Sequence, residues 1–356
     1  MKKSLISMLV AGTMIIATLA GCSDSEEAKT GNGKKVAISL PTDVSNRWSN
    51  DGAIMTDKLE SLGYEVDLRY AQGDVQEQIK QIQEMLEDGA KCLVVAAVDE
   101  ESLAEPLNQA KDAGIPIIAY DNLIAGTDAV SYYLSYDNRA IGGIIANYVV
   151  DNEALSSDDP KTIEFFMGSP GDNGAKMLYE GMMEVIRPYL KDGSLECKSG
   201  QTDFTDVCTE QWNPKHALSR CEDIIKTYYK KAKLDICVSA YDGLSYGCIG
   251  ALENSGYTFM DWPMITGQDA EGKAIDYIVT GKQSMTIYKD SSLLAEQCVS
   301  AVSAIMQGQT PEINDTESID NGEKKIPAYL LTPVVVDAKN YKDILNIEES
   351  TSSETE

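Results

Sequence analysis

The sequence predicts an α/β fold of two lobes, each a parallel sheet flanked by helices, and three observations carry that prediction. Short β-branched or apolar runs alternate with longer stretches of helical periodicity, the pattern of repeated βαβ units. Setting aside a 21-residue leader leaves 335 of the 356 residues (356 − 21), long for one core and comfortable for two domains of about 150 residues. Polar residues, mostly acids, close several strand runs, at the edge where open α/β sheets bind ligands.

In chain order the strand runs are VAISL from Val36, EVDLRYA from Glu65, CLVVAAV from Cys92, IPIIAYD from Ile115 and VSYYLSYD from Val130. They continue as TIEFFMG from Thr162, LECKSGQ from Leu195, ICVSAYD from Ile236, PMITGQD from Pro263, MTIYK from Met285 and LLTPVVV from Leu330. Between them, Val75 to Glu87 sets Val75, Ile79, Ile82 and Leu86 on one helical face, and Leu103 to Ala113 and Leu293 to Met306 behave likewise.

Composition narrows the function. With 43% hydrophobic and 24% charged residues the main body is neither disordered nor a membrane bundle. Thirty Lys and Arg stand against 57 acids, a net −27. Loss of Lys2 and Lys3 with a leader that holds no acids makes this about −29, a field that disfavours nucleic acid. One histidine, His216, argues against histidine catalysis and a His-rich metal site. The eight cysteines contain no C-x-x-C spacing. Cys92, Cys237 and Cys298 read as small core residues, and any pairing among Cys197, Cys208 and Cys221 stays open.

Residues 1–21 begin with Lys2-Lys3, run apolar from about Leu5 to Leu19 and end in Leu19-Ala20-Gly21 before Cys22. The run falls short of the ~20 residues needed to span a bilayer and ends in a cleavage-type sequence, so a lipoprotein signal peptide with lipidation at Cys22 is expected. At ~0.8 kcal/mol per buried CH2, two or more acyl chains anchor a protein without a spanning helix. Residues 22–35 read as a flexible tether and residues 348–356 as a disordered, solvated tail.

Asp121, Asp137-Asn138, Asp242 and Asp269 end their strand runs. Each acid could simply cap the next helix, but four in one topological position favour a shared pocket. Acids with aromatics suit a carbohydrate, because carboxylates accept from vicinal hydroxyls while a flat ring covers a C–H face. Trp48 and Trp212 are the aromatic candidates, with partial burial as the alternative, and Trp262 is assigned to packing. Arg47 and Lys289 would supply donors, unless they are merely solvated. Gly267 to Ala274 approaches the phosphate-loop pattern but ends in alanine instead of a hydroxyl and carries Asp269 and Glu271, so nucleotide binding is rejected. No nucleophile elbow or H-E-x-x-H occurs, and the acids alone do not establish a glycosidase.

Several blocks occur in order: RWSNDG at Arg47, QIQEMLEDGAKCLVV at Gln81, GIPIIAYDNLI at Gly114, VSYYLSYDN at Val130 and FMGSPGDNGAK at Phe166. SAYDGLS at Ser239, GQDAE at Gly267 and IPAYLLTPV at Ile326 follow. Through these, from about Val36 to Tyr341, the chain resembles the sugar-binding proteins of ABC importers, of the type I periplasmic-binding fold. Within them it is most similar to the xylose-binding and multiple-sugar-binding branch. The resemblance implies an N-terminal lobe of residues 36–137 and 290–331 and a C-terminal lobe of 138–289 and 332–347. Three interlobe crossovers would lie near Asp137, Lys289 and Leu331. It implies a lipid-anchored, extracytoplasmic, monomeric binding protein, not an enzyme, with no cofactor or metal and no nucleic-acid partner. Such a protein closes over an aldose like xylose, glucose or arabinose and delivers it to ABC permease subunits, or, alternatively, presents the closed form to a membrane receptor as a sensor. The pocket carried over comprises Arg47, Trp48, Asp121, Asn122, Asp172, Asn173, Trp212, Tyr241, Asp242, Asp269 and Lys289. Tyr241 matches the multiple-sugar branch, where xylose-binding proteins have asparagine. Asn122 replaces an arginine and Gly174 an asparagine of the family pattern. Two fewer donors should leave space, so a bulkier or differently substituted sugar is expected to fit at least as well as xylose.

Overall fold

The computed structural model describes residues 34–347 except Ser45; the leader, Cys22, nearly all of the tether and the tail lie outside the described residues. Its first half alternates β1 (Lys35–Leu40), α1 (Asn46–Ser61), β2 (Glu65–Tyr70), α2 (Val75–Glu87), β3 (Cys92–Val95), α3 (Ala104–Asp112), β4 (Ile117–Tyr120) and β5 (Tyr132–Tyr136). Then come α4 (Asn138–Asn152), β6 (Lys161–Phe166), α5 (Asn173–Asp192), β7 (Leu195–Glu196), α6 (Phe204–Val207), α7 (Pro214–Tyr228), β8 (Ile236–Ser239), α8 (Asp242–Asn254) and β9 (Met264–Ile265). The chain ends in α9 (Gly272–Val279), β10 (Met285–Tyr288), α10 (Ser291–Met306), β11 (Ala328–Leu331), β12 (Val334–Asp337) and α11 (Tyr341–Ile344).

Six strands form one parallel sheet in the order β11-β5-β4-β3-β1-β2, and four form a second, β7-β6-β8-β9. The antiparallel pair β10-β12 continues the second lobe: Ser284 N donates to Ile265 O at 2.8 Å and Asp269 N to Ile287 O at 2.8 Å. The chain therefore passes between lobes after Tyr136, Tyr288 and Leu331. The last expected run is split into β11 and β12, which join different sheets. Pro333 lies between them and has no N–H to continue a ladder.

Continuous apolar runs form the central strands because helices cover both sheet faces. Successive residues of β1 and β3 alternate between two cores. Ile38 and Val94 pack with Met55 and Leu59 of α1, whereas Ala37 and Leu93 pack with Ile82 and Met85 of α2. In the second lobe Ile163 and Val238 meet α4 and α5, while Phe166 and Cys237 meet α7 and α8. Each fully buried Ile or Leu adds about 1.5–3 kcal/mol. Helices α4 and α5 approach closely at Gly142 and Gly181, where a Cβ would strike the opposing backbone. All seven described cysteines are free thiols, so Cys197, Cys208 and Cys221 are unpaired, and Cys92, Cys237 and Cys298 are buried as expected. No described helix is long and apolar enough to cross a membrane.

Candidate functional site

The carboxyl ends of the two parallel sheets face a shared cavity of about 460 Å³, within the ~300–1,000 Å³ range of small-molecule sites. Of the expected residues, Asp121, Asn122, Asp172, Asn173, Trp212, Tyr241, Asp269 and Lys289 line it; Arg47, Trp48 and Asp242 do not.

Asp121 follows β4 in a left-handed conformation (φ 63°). Its carbonyl accepts from Tyr133 Oη at 2.7 Å and Ser135 Oγ at 3.1 Å, and its amide donates to Leu134 O at 2.7 Å. β5 thus fixes the backbone and leaves the carboxylate to Arg47, whose Nη2 stands 2.7 Å from Oδ1. Burial would raise the Asp121 pKa, but Arg47, and after it Lys289, hold it below the usual carboxylate range. Arg47 packs beside Trp48: its guanidinium lies 4.6 Å over the Trp48 ring, and Trp48 meets Tyr120 edge-on at 6.4 Å. Arg47 and Trp48 thus form a layer against Asp121, which lines the cavity. Asp51, one turn beyond Arg47 and fully buried, accepts from Tyr120 Oη at 2.8 Å and is a second anion for the same guanidinium. Asp51 lies inside α1, away from any strand end, where position in the sequence does not mark it.

In the second lobe Asp269 also has positive φ, 98°, and Lys289 Nζ stands 2.9 Å from its Oδ1. Asp242 explains how that conformation is held. It is fully buried; Oδ1 accepts from Gln283 and Thr286, each at 2.8 Å, and Oδ2 from the Glu271 amide at 2.9 Å. Gly267 lets this carboxylate pass, since a Cβ there would collide with it. Asp242 thus ties down the Gly267–Glu271 loop and is not itself presented to the cavity. Asp137 likewise caps α4, accepting from Ala140 N at 2.9 Å, so among the four strand-end acids only Asp121 and Asp269 face the cavity.

Trp212 is held on three sides. Nε1 donates to Asp172 Oδ2 at 3.0 Å, Tyr241 meets the ring edge-on at 6.1 Å, and the indole lies where a Cβ on Gly168 would be. Gln211 and Trp212 both have positive φ, 54° and 53°. Such backbone costs on the order of 1–3 kcal/mol per residue and clusters at ligand sites. Tyr241 Oη donates to Glu271 Oε1 at 2.5 Å. Asn122 Nδ2 is turned to Ala97 O at 2.8 Å. Gly174 lines the cavity, and a Cβ there would stand 3.0 Å from Asn138 Nδ2 and 3.1 Å from Asp172 Oδ1.

Glu100, Gln211 and Gln268 also line the cavity and were not anticipated. Burial, then the charges of Asp172, Asp99 and Glu101, pushes Glu100 up to about 7. Buried Gln78 sets its loop, donating to Ser39 and Ala96 and accepting from Val98 N at 2.8 Å. Among the described residues no His, Cys, Asp and Glu side chains group to hold a metal ion.

A family model described as a periplasmic binding protein domain matches residues 36–310. The chain belongs to that family. This binding protein is 40% identical over 346 residues, 96% of each chain, to the multiple sugar-binding periplasmic receptor ChvE of Rhizobium radiobacter. It is 33% identical to the D-xylose-binding periplasmic protein of Escherichia coli, covering 87% of this chain and 89% of that one. A solved ABC transporter solute-binding protein from Clostridium phytofermentans with bound β-D-glucose is similar at TM-score 0.79 and 42% identity, covering 88% and 96% of the two chains. The type I periplasmic-binding fold and the extracytoplasmic binding class, which is not enzymatic, follow from these relationships.

Proposed function

We propose that this binding protein captures an aldose of the xylose, glucose or arabinose kind between its lobes. It then delivers the sugar unchanged to an ABC importer, from a lipid anchor at Cys22 on the extracytoplasmic face of the cell membrane. The observation that carries the reading is the pairing of Asp121 and Asp269 across one cavity. Each carboxylate is fixed by a cation and by left-handed backbone, beside the Trp212 ring. Carboxylates so held are prearranged acceptors for sugar hydroxyls, which is what lets a small polar ligand bind tightly. Asn173, Asn122 and Tyr241 supply further polar edges, with Arg47 and Trp48 layered against Asp121 and Asp242 tying down the loop of Asp269. Relatives that bind glucose and D-xylose support the ligand class. The lobes, residues 36–137 with 290–331 and 138–289 with 332–347, would close by hinge bending at the three crossovers.

The test is a thermal-shift and calorimetry panel of pentoses, hexoses, uronic acids and disaccharides, followed by solution scattering of the best ligand. An aldose should raise the melting temperature and shrink the radius of gyration. If no sugar in the panel binds, the reading fails, and appearance of a reaction product would return the protein to the enzymes. Because ChvE is named a receptor, a sensor role is the second reading, and growth on the sugar after deletion of the permease separates the two.

A further inference from the structure

Opposite the cavity, at the amino ends of β8 and β9, the acidic chain gathers positive charge. Lys226 near the end of α7 and Lys230, Lys231 and Lys233 on the way to β8 line a shallow depression of about 940 Å³ together with Tyr229 and Tyr257. Two hydrogen bonds join the loops on which it is built: Leu234 N donates to Tyr257 Oη at 3.1 Å and Met264 N to Asp235 O at 2.8 Å. Of the four lysines, only Lys233 has a carboxylate within ion-pairing distance among the described residues, Asp261 at 3.7 Å. Glu222, on the rim, accepts from Asn254 at 2.7 Å. The chain as a whole carries −27, so four cations in eight positions form a local inversion of its field.

Beside these lysines the largest exposed apolar side chains of the lobe project as a pair, Phe259 at 83% and Met260 at 88% exposure. They ride on a short turn that is braced, since Asp261 Oδ1 accepts from both Thr258 N at 2.9 Å and Thr258 Oγ1 at 2.5 Å. An apolar pair held outward by a fixed turn and flanked by lysines is convex, so it suits a soft layered surface better than a complementary protein groove. Lysine is a hydrated point charge on a flexible stem, able to meet phosphates without fixed geometry.

We propose that this face docks on the anionic headgroups of a phospholipid bilayer, with Lys226, Lys230, Lys231 and Lys233 meeting phosphates while Phe259 and Met260 enter the headgroup layer. Charge complementarity selects the orientation, because the rest of the acidic surface is repelled. The face lies at the strand ends away from the cavity, so docking leaves sugar entry free and orients a chain whose tether alone would not.

The test uses the full chain on vesicles of phosphatidylcholine alone or mixed with phosphatidylglycerol, with lysine acylation read residue by residue. Any N-terminal attachment holds the chain on both vesicles, so the readout is local to the patch. Acylation of Lys226, Lys230 and Lys231 should slow at least about tenfold on the anionic vesicles only, and recover near 1 M salt, where the Debye length is about 3 Å. Lys226→Glu with Lys230→Glu and Lys231→Glu should remove the effect, read as loss of protection at Lys233, and leave sugar affinity unchanged. Phe259→Ser with Met260→Ser should weaken the protection at each salt concentration below that recovery. Equal acylation on both vesicles, or protection that appears only when permease is added, would overturn the proposal without touching the sugar-binding reading.

Discussion

The indole of Trp212 donates to one oxygen of Asp172 at 3.0 Å while the other oxygen accepts from the Ala175 amide, also at 3.0 Å. One carboxylate therefore caps α5 and posts the aromatic ring at the cavity. Helix capping and membership of the site, which the sequence sets against each other, are here the same interaction.

Asp172→Ala should lose both. The cap contributes about 1 kcal/mol, so a modest fall in melting temperature is expected. Release of the ring should weaken sugar binding by roughly tenfold or more, since an aromatic contact and its fixed position are lost together. Calorimetry on the variant decides: a lower melting temperature with unchanged affinity would leave Asp172 a cap and nothing else.

Gly168→Ala probes the same ring from its other side. The added Cβ would overlap the six-membered ring of Trp212 and force the indole off Gly168. Intrinsic fluorescence should shift and sugar affinity should drop, with circular dichroism unchanged. Wild-type affinity in this variant would show that the ring position is immaterial to binding.

Much of the architecture was legible because helices bury both faces of the central strands, which makes β3 an unbroken apolar run and leaves β1, β6 and β8 mostly apolar, with Ser39, Thr162, Glu164 and Ser239 as their buried polar members. At the edges the runs overshoot: β7 and β9 keep two residues each. The site was legible as far as topology reaches. Strand-end position brought out Asp121 and Asp269, yet Asp137 and Asp242 share that position and turn inward to cap a helix and tie a loop. Position fixes the backbone, and the local hydrogen-bond partners decide where the carboxylate goes. Glu100 lies five residues beyond the last residue of β3, where no periodicity singles it out.

Asp242 should leave a signature in the pH dependence of stability. Burial pushes its pKa to about 7, against the hydrogen bonds from the Glu271 amide, Gln283 and Thr286 that favour the charged form. An unfolded aspartate titrates near ~3.9, so between these values the folded chain holds the extra proton. The associated stability is complete below about pH 4 and is lost as pH rises through about 7. Asp242→Asn removes the titration, so the difference in melting temperature between about pH 5 and about pH 8 should shrink relative to wild type. An undiminished difference would assign the dependence elsewhere, with Glu100, also near 7, the first place to look.

Removing the Arg47 cation should cost stability as well as binding. Arg47 stands 2.7 Å from Asp121 Oδ1 and 3.8 Å from the fully buried Asp51, so Arg47→Met leaves Asp51 without its counter-charge and Asp121 with the charge of Lys289 alone. Breaking a buried pair from one side costs about 3–5 kcal/mol, and the outer pairing here sits toward the lower end because Arg47 is partly exposed. Chemical denaturation measures the loss. Asp51→Asn in the Arg47→Met background should recover part of it, because that uncompensated charge is then removed; no recovery would mean that Arg47 acts through packing on Trp48 alone.

Lys289 is the cation that both lobes share. It pairs with Asp269 at 2.9 Å in the second lobe, and its charge also depresses the Asp121 carboxyl of the first. It follows β10 directly, at a passage between the lobes. Bringing the lobes together moves two like charges toward each other, and a cation between them converts that repulsion into attraction of growing strength as water leaves. Lys289→Met keeps the stem and removes the charge, so the fold should survive while saturating sugar produces less contraction in solution scattering and affinity falls by about tenfold or more. Raising salt should weaken closure of the wild type more than that of the variant, because only the wild type has the screened attraction. Equal contraction in the two proteins would show that hydroxyl contacts alone close the cleft.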